Sequence, residues 1–319
     1  MSNAGQTTLS PHGDPRAWVD AWAGSDALAR VVAAWGGEPV GGRDPAAWLA
    51  YLEDFSQRWD FRGGRERNLV EDPDLSPELA ELVLAAAGEL GMRGTTAPAR
   101  HRYDHVVILG GLVRACLARP RHAAGLLAAG NVTPGRVIAL GGFRALRGDE
   151  ETLVAELLGD ASVTDEYHAM RAGVEAAFGL SAPVATRGEP SDVVGAAWEV
   201  SDYATAAGIP VHVVAAPSSE PGTRRANTPD TYAWLVDESG WLRPGDALLL
   251  VTTDIYAPYQ GADAIRMLTV PHDIAVDVAG IEPGGVDPRL AQPFAAHNYL
   301  QEIRSTIRSL RLLDTALSA

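Results

Sequence analysis

Four short, unbroken apolar runs in the second two thirds of the chain limit its fold more than any other feature. They are Asp104-His105-Val106-Val107-Ile108-Leu109, Arg136-Val137-Ile138-Ala139-Leu140, Pro210-Val211-His212-Val213-Val214-Ala215 and Ala247-Leu248-Leu249-Leu250-Val251-Thr252, with a weaker fifth over 273–278. Runs of this length without polar alternation are strands buried on both faces, and the helical patterns between them supply crossovers. One such pattern runs through Arg114–Ala129 directly after the first strand. The expected fold is therefore α/β, a three-layer Rossmann-like arrangement around a mainly parallel sheet, with the 104–109 and 136–140 strands adjacent.

The first hundred residues read differently. Trp18 and Trp22 lie four apart, and Trp48, Leu49, Leu52 and Phe55 recur at helical spacing, so these aromatics anchor a helical extension. Ser76-Pro77-Glu78 opens a further helix, with the serine as cap and the proline in the first turn. This gives two parts: a helical extension or cap over 1–100, and the α/β domain over 101–319. The boundary is expected near Gly94–Arg100. An insertion with an extra helix is expected over about 183–208. A closing helix, Tyr299–Leu317, puts Ile303, Ile307, Leu310 and Leu313 on one face.

Charge and cysteine content narrow the partners. With 26 basic and 41 acidic residues the net charge is −15, which disfavours nucleic acid and anionic membrane surfaces. No apolar stretch is long enough to span a bilayer, and no secretory signal precedes the first helix, so the chain reads as cytoplasmic. The lone cysteine, Cys116, sits inside an apolar helix pattern and reads as a small buried hydrophobe. It excludes an internal disulfide or a cysteine-built zinc site. His101, His105, His122, His168 and His297 fall into no metal-binding motif, and no Gly-x-Ser-x-Gly elbow is present.

In parallel α/β sheets, ligands bind beyond the carboxyl ends of the strands. The residues there are Gly110, Gly111 and Arg114 after the first run, and Gly141 and Gly142 after the second. Glycines at that position admit a ligand to backbone N–H groups at a helix start, and they serve equally in tight turns. After the third run come Arg224-Arg225-Ala226-Asn227-Thr228-Pro229-Asp230, with Thr228 expected as helix cap. The fourth run ends in Thr253-Asp254-Ile255-Tyr256, where a carboxylate can act as base, hold a ribose hydroxyl or cap a helix.

The order of these parts resembles the bacterial YdcF/SanA family over about residues 102–305. The matching parts are Asp104 through Gly111 with Arg114, Gly141-Gly142, Glu166 opening a helix, Asn227-Thr228 with Asp230, Val251 to Asp254, and Tyr299 with Glu302. The resemblance implies a Rossmann-like domain with a charged pocket, and Glu166 as an acidic member of it. This chain departs where it places Tyr256 and Tyr259 in positions the family commonly gives to His and Arg, and Asp230-Thr231 where Glu-Asn is usual.

Together these residues point to an enzyme-like domain for a nucleotide-like or phosphate-bearing small molecule. Gly110, Gly111 and Gly142 would form a backbone cradle with Gly141 as a further ligand contact, and Arg114 and Arg225 cationic clamps. Asn227, Asp230 and Tyr256 are further ligand contacts, and Glu166 and Asp254 the acid/base candidates. Two alternatives stand beside it: an S-adenosylmethionine-binding transferase of specialised metabolism, and a non-catalytic binding protein. The cofactor is left open between S-adenosylmethionine and a nucleotide, and no metal is implied. Arg62, Arg65 and Arg67 are expected to approach the pocket rim.

Overall fold

A computed structural model describes residues 13–38, 44–61, 73, 75–160 and 162–319. Arg62, Arg65 and Arg67 lie outside the described residues. The chain divides into two compact units. One comprises described residues of Met1–Thr96 with Asp254–Arg266 and Pro293–Ala319. The other comprises Ala97–Thr253 and Met267–Gln292.

The helical unit starts with α1 (Pro15–Ala23), α2 (Asp26–Ala34), α3 (Pro45–Phe55) and α4 (Pro77–Glu89). Each begins where the sequence supplies a cap. The side chains of Asp14, Ser25, Asp44 and Ser76 accept from first-turn amides, and proline follows three of those four caps. Trp18, Trp22, Trp48 and Trp59 are buried, and the Trp22 and Trp48 indoles donate to the carbonyls of Leu90 and Ala23. These aromatics are packing anchors, as their spacing implies.

The second unit contains the whole sheet. Along the chain it runs β1 (Arg102–Ile108), α5 (Val113–Ala128), β2 (Thr133–Leu140), α6 (Asp149–Leu157), α7 (Glu166–Phe178), β3 (Ala185–Glu189), β4 (Trp198–Ala204), β5 (Pro210–Ala215), α8 (Thr228–Ala233) and β6 (Ala247–Thr253). The chain then passes through α9 (Ala257–Ala264) of the helical unit. It returns for α10 (Val270–His272), β7 (Ala275–Ile281) and α11 (Pro283–Val286), and ends in α12 (Ala296–Ser318) of the helical unit. The periodicity of α12 is borne out: Leu300, Ile303, Ile307, Leu310 and Leu313 are buried, and the helix packs against α3, α4 and α9.

The seven strands are ordered β3-β4-β5-β2-β1-β6-β7. Ladders β1–β2, β1–β6, β2–β5 and β6–β7 are parallel, with His105 opposite Arg136 and Val107 opposite Ile138. The adjacency of the first two strands is as expected. The 183–208 segment is not: it carries no helix but two strands, β3 and β4, which extend β5 by antiparallel pairing. Trp198, Val200 and Tyr203 favour a strand there and supply side chains for the faces of the sheet.

Helix α7 lies close against α5. A Cβ at Gly173 would collide with the carbonyl oxygen of Cys116. That carbonyl is the one left without its helical donor because residue 120, four positions on, is proline. The crossing fixes the start of α7 beside the end of β1. Among the described residues no helix is long and apolar enough to cross a membrane.

Candidate functional site

The carboxyl ends of β1 and β2 carry a buried charge cluster in the sheet unit. Leaving β2, residues 142–146 run antiparallel to the start of α7. The amides of Tyr167 and Glu166 donate to the carbonyls of Gly142 (2.9 Å) and Arg144 (3.0 Å), and Leu146 donates to Thr164 (3.0 Å). The cap of α7 is Asp165, which accepts from the His168 amide and ring Nδ1.

Glu166 opens α7 and turns toward β1. Its carboxylate lies against Gly110, where a Cβ would overlap Oε1 and stand 2.7 Å from the Leu140 carbonyl oxygen. Arg144 donates from Nε to Glu166 Oε2 (3.1 Å), from Nη1 and Nη2 to Glu150 (2.8 Å each), and from Nη2 to the Gly111 carbonyl (3.3 Å). Glu150, buried at the start of α6, also accepts the Val113 amide of α5 at 3.1 Å. Below them lies Arg119, fully buried. Its Nε and Nη2 donate to Thr253 Oγ1 (3.1 and 3.0 Å) and its Nη1 to the carbonyls of Leu109 (2.8 Å) and Gly110.

Electrostatics separate the two carboxylates. Burial raises the Glu166 pKa, and Arg144 and Arg119 offset this only in part, so it lies above the usual carboxylate value. Burial acts the same way on Glu150, but Arg144 and the Val113 and Arg147 amides outweigh it and hold the pKa low. Glu150 is therefore a fixed negative charge seated on the first turn of α5, where the helix dipole favours it. Glu166, 16% exposed, is the carboxyl of the pair suited to exchange a proton.

The glycines divide by role. Gly110 makes room for Glu166, and Gly141 admits α7, since a Cβ there would stand 2.9 Å from the Tyr167 Cα. A Cβ at Gly142 would meet nothing within 4 Å. No packing in the sheet unit requires glycine at that position.

Beyond β5 a second polar group gathers around Asp230. Asn227, not Thr228, caps α8, and Asn227 and Asp230 form a reciprocal capping box. Asp230 also accepts from Arg224 Nη1 (2.6 Å) and Nη2 (3.1 Å) and from the Ser219 amide (3.1 Å). Burial alone would raise its pKa, but these bonds carry it far below the usual aspartate value. Both residues thus have a complete local role.

A curated relative, Uncharacterized protein Rv3785 of Mycobacterium tuberculosis, is 31% identical over 346 aligned positions, covering 98% of this chain and 94% of the relative. The chain belongs to the Rv3785 family. Uncharacterized protein Mb3814 of Mycobacterium bovis matches to the same extent. The family model described as Rv3785 N-terminal domain matches residues 10–91, the stretch that contains α1 to α4. No solved structure matches.

In this Rv3785-family chain, Gly110, Gly111, Gly141 and Glu166 come together as the strand-end positions imply, with Gly142 at their margin. Arg114 turns away and donates to the carbonyls of Arg289 (2.9 Å) and Ala291 (3.3 Å). Arg225 is exposed, and the guanidinium that binds Asp230 is that of Arg224. Asp254 and Tyr256 belong to the helical unit. There Asp254 accepts the Gly94 amide at 2.8 Å, and Tyr256 packs edge-on against Tyr259 and Phe294. Sequence reasoning misses Arg119, Arg144 and Glu150. Arg144, two residues past Gly142, carries a readable signal as a cation just beyond a strand end. Nothing local marks Arg119 or Glu150, because each meets its partners only through tertiary packing. Among the described residues no group of three or more His, Cys, Asp or Glu side chains is placed to hold a metal.

Proposed function

We propose that the sheet unit is an enzyme-like, Rossmann-like domain whose strand ends hold a small nucleoside-like ligand, with Glu166 as the acid/base or hydroxyl-binding group. The observation that carries this is the Glu166 carboxyl itself. It is raised in pKa, still partly exposed, and laid on a glycine floor at the ends of β1 and β2 beside Arg144. The strand order supports it. Counted among the parallel strands alone, the sheet runs third-second-first-fourth-fifth, with the reversal between β1 and β6, an order typical of dinucleotide-binding folds. The resemblance to the YdcF/SanA family belongs to the same reading.

The charge arrangement bears on the ligand. The usual phosphate seat, the first turn of the helix after β1, is taken by the protein's own Glu150. Arg144 is already bound to two carboxylates, and Arg114 is committed elsewhere. A second anion there would face Glu150 and Glu166 with no unclaimed guanidinium from either arginine. Hydroxyl groups or a cation suit the position better, which favours a nucleoside or the sulfonium of S-adenosylmethionine over a phosphate. The phosphate-bearing alternative keeps one support, the open space at Gly142.

The test is isothermal titration and thermal shift with adenosine, S-adenosylmethionine, adenosine 5′-monophosphate and inorganic phosphate. The proteins are the wild type, Glu166→Gln, and Glu156→Gln as an exposed control on α6. Adenosine or S-adenosylmethionine should stabilise the wild type and the control but not Glu166→Gln, by about 2.7 kcal/mol at a hundredfold excess over Kd. Binding unchanged by Glu166→Gln, or binding driven by phosphate alone, would refute the reading.

A further inference from the structure

The loop that leaves β2 has a charged side and an aromatic side. Paired antiparallel to the start of α7, residues 142–146 present successive side chains alternately. Arg144 turns toward β1, where it meets Glu150, Glu166 and the Gly111 carbonyl. Phe143, one residue earlier, packs instead on Tyr167, with ring centroids 5.4 Å apart and planes inclined by 57°. Tyr167 is fully buried and its hydroxyl bonds Ser201 of β4 at 2.9 Å, which places this side of the loop toward the β4–β5 half of the sheet. Gly142, the residue before Phe143, has open space where a Cβ would stand.

Phe143 is also unusual in its exposure. Among the described residues the exposed large hydrophobic side chains are Phe143, Val184, Val193, Val194, Val270 and Leu312, and Phe143 is the aromatic one. The other aromatic side chains of the sheet unit are buried or partly buried. A phenyl ring 38% exposed, backed by a fixed tyrosine and next to a glycine that packing does not require, leaves apolar surface in water with no internal return.

From this juxtaposition we infer that Phe143 is the stacking platform for a planar base, and that the ligand lies across Gly142 with its polar part toward Glu166. Resting on the strand-end reading above, this narrows the ligand class to molecules that join a purine-like ring to a hydroxylated or cationic group. Stacking on an aromatic face tolerates any base, so Phe143 supplies affinity, and the polar side selects the remainder of the molecule.

The test uses adenosine and S-adenosylmethionine as base-bearing probes, with ribose and methionine as matched probes lacking the base. The proteins are the wild type, Phe143→Leu, Phe143→Trp, Gly142→Val and Glu166→Gln. Base-bearing probes should bind the wild type and Phe143→Trp, lose roughly tenfold or more in affinity in Phe143→Leu, and be lost in Gly142→Val. Circular dichroism should show both Phe143 variants and Gly142→Val folded, because neither position is enclosed. If the base-bearing probes bind and Glu166→Gln weakens them while Phe143→Leu does not, the platform is refuted and the Glu166 site stands. The platform is equally refuted if ribose or methionine binds as well as its base-bearing partner. If no probe binds the wild type, both readings fail together.

Discussion

Alanine introduced at Gly110 and at Gly142 should have opposite effects on stability, although the two changes are chemically identical. At Gly110 the new methyl meets two obstacles. The Glu166 carboxylate can swing aside, but only by giving up the 3.1 Å bond from Arg144 Nε. The Leu140 carbonyl oxygen, 2.7 Å away, is main chain at the end of a strand paired on both sides, and it cannot retreat. Overpacking of this kind costs about 1–3 kcal/mol, and with the weakened ion pair we expect about 2 kcal/mol. For a unit of this size that lowers Tm by roughly 4–8 °C. At Gly142 the methyl meets nothing within 4 Å, and φ there is not positive. The gain is the reduced entropy of the unfolded chain, about 0.4–1 kcal/mol in favour of the fold. Urea denaturation followed by circular dichroism, with thermal melts alongside, measures both. Equal midpoints for the two variants, or a Gly142→Ala variant as damaged as Gly110→Ala, would refute the assignment of Gly110 as a floor under Glu166.

Other perturbations probe the surrounding groups. Glu150→Ala strips two hydrogen bonds from the Arg144 guanidinium and one each from the Val113 and Arg147 amides, and should cost roughly 3 kcal/mol in urea denaturation; Glu150→Gln should cost less. Burial lowers the pKa of His122, whose Nε2 has no hydrogen-bond partner, so the fold favours the neutral ring. That preference destabilises the protein as pH falls from about 6.5 toward the lower folded value. His122→Leu should flatten the pH dependence of Tm in that window, and an unchanged slope would contradict it. Burial likewise pushes the Cys116 thiol up, so Ellman's reagent should react with it only after denaturant is added.

The sequence is legible where one physical signal dominates. Unbroken apolar runs mark the central parallel strands, and caps such as Ser76 with Pro77 mark helix starts, because both signals are local. The hairpin of β3 and β4 departs from the helix expected there, since its strands are stabilised by pairing with β5 and every residue of β3 is exposed. In the site, the glycines and Glu166 are readable from their place after strands. The commitment of Arg114 to the 289–291 carbonyls and the seating of Glu150 on α5 are not, because both depend on segments remote in sequence meeting.

Strand β3 also governs how far the sheet can grow. An outermost strand offers unsatisfied backbone groups to any other chain, the route by which β-proteins polymerise. Here that margin is five residues long and exposed throughout. It carries Arg187 and Glu189, with Gly188 between them, and Pro190 follows at once, a residue that cannot donate to a ladder. Arg187 is also pulled back against Asp202 of its own neighbour. An incoming strand would have to desolvate both charges and forgo a hydrogen bond at the proline. The antiparallel addition to the sheet therefore acts as a terminator, closing one flank of a parallel core whose next exposed strand would otherwise be the apolar β5.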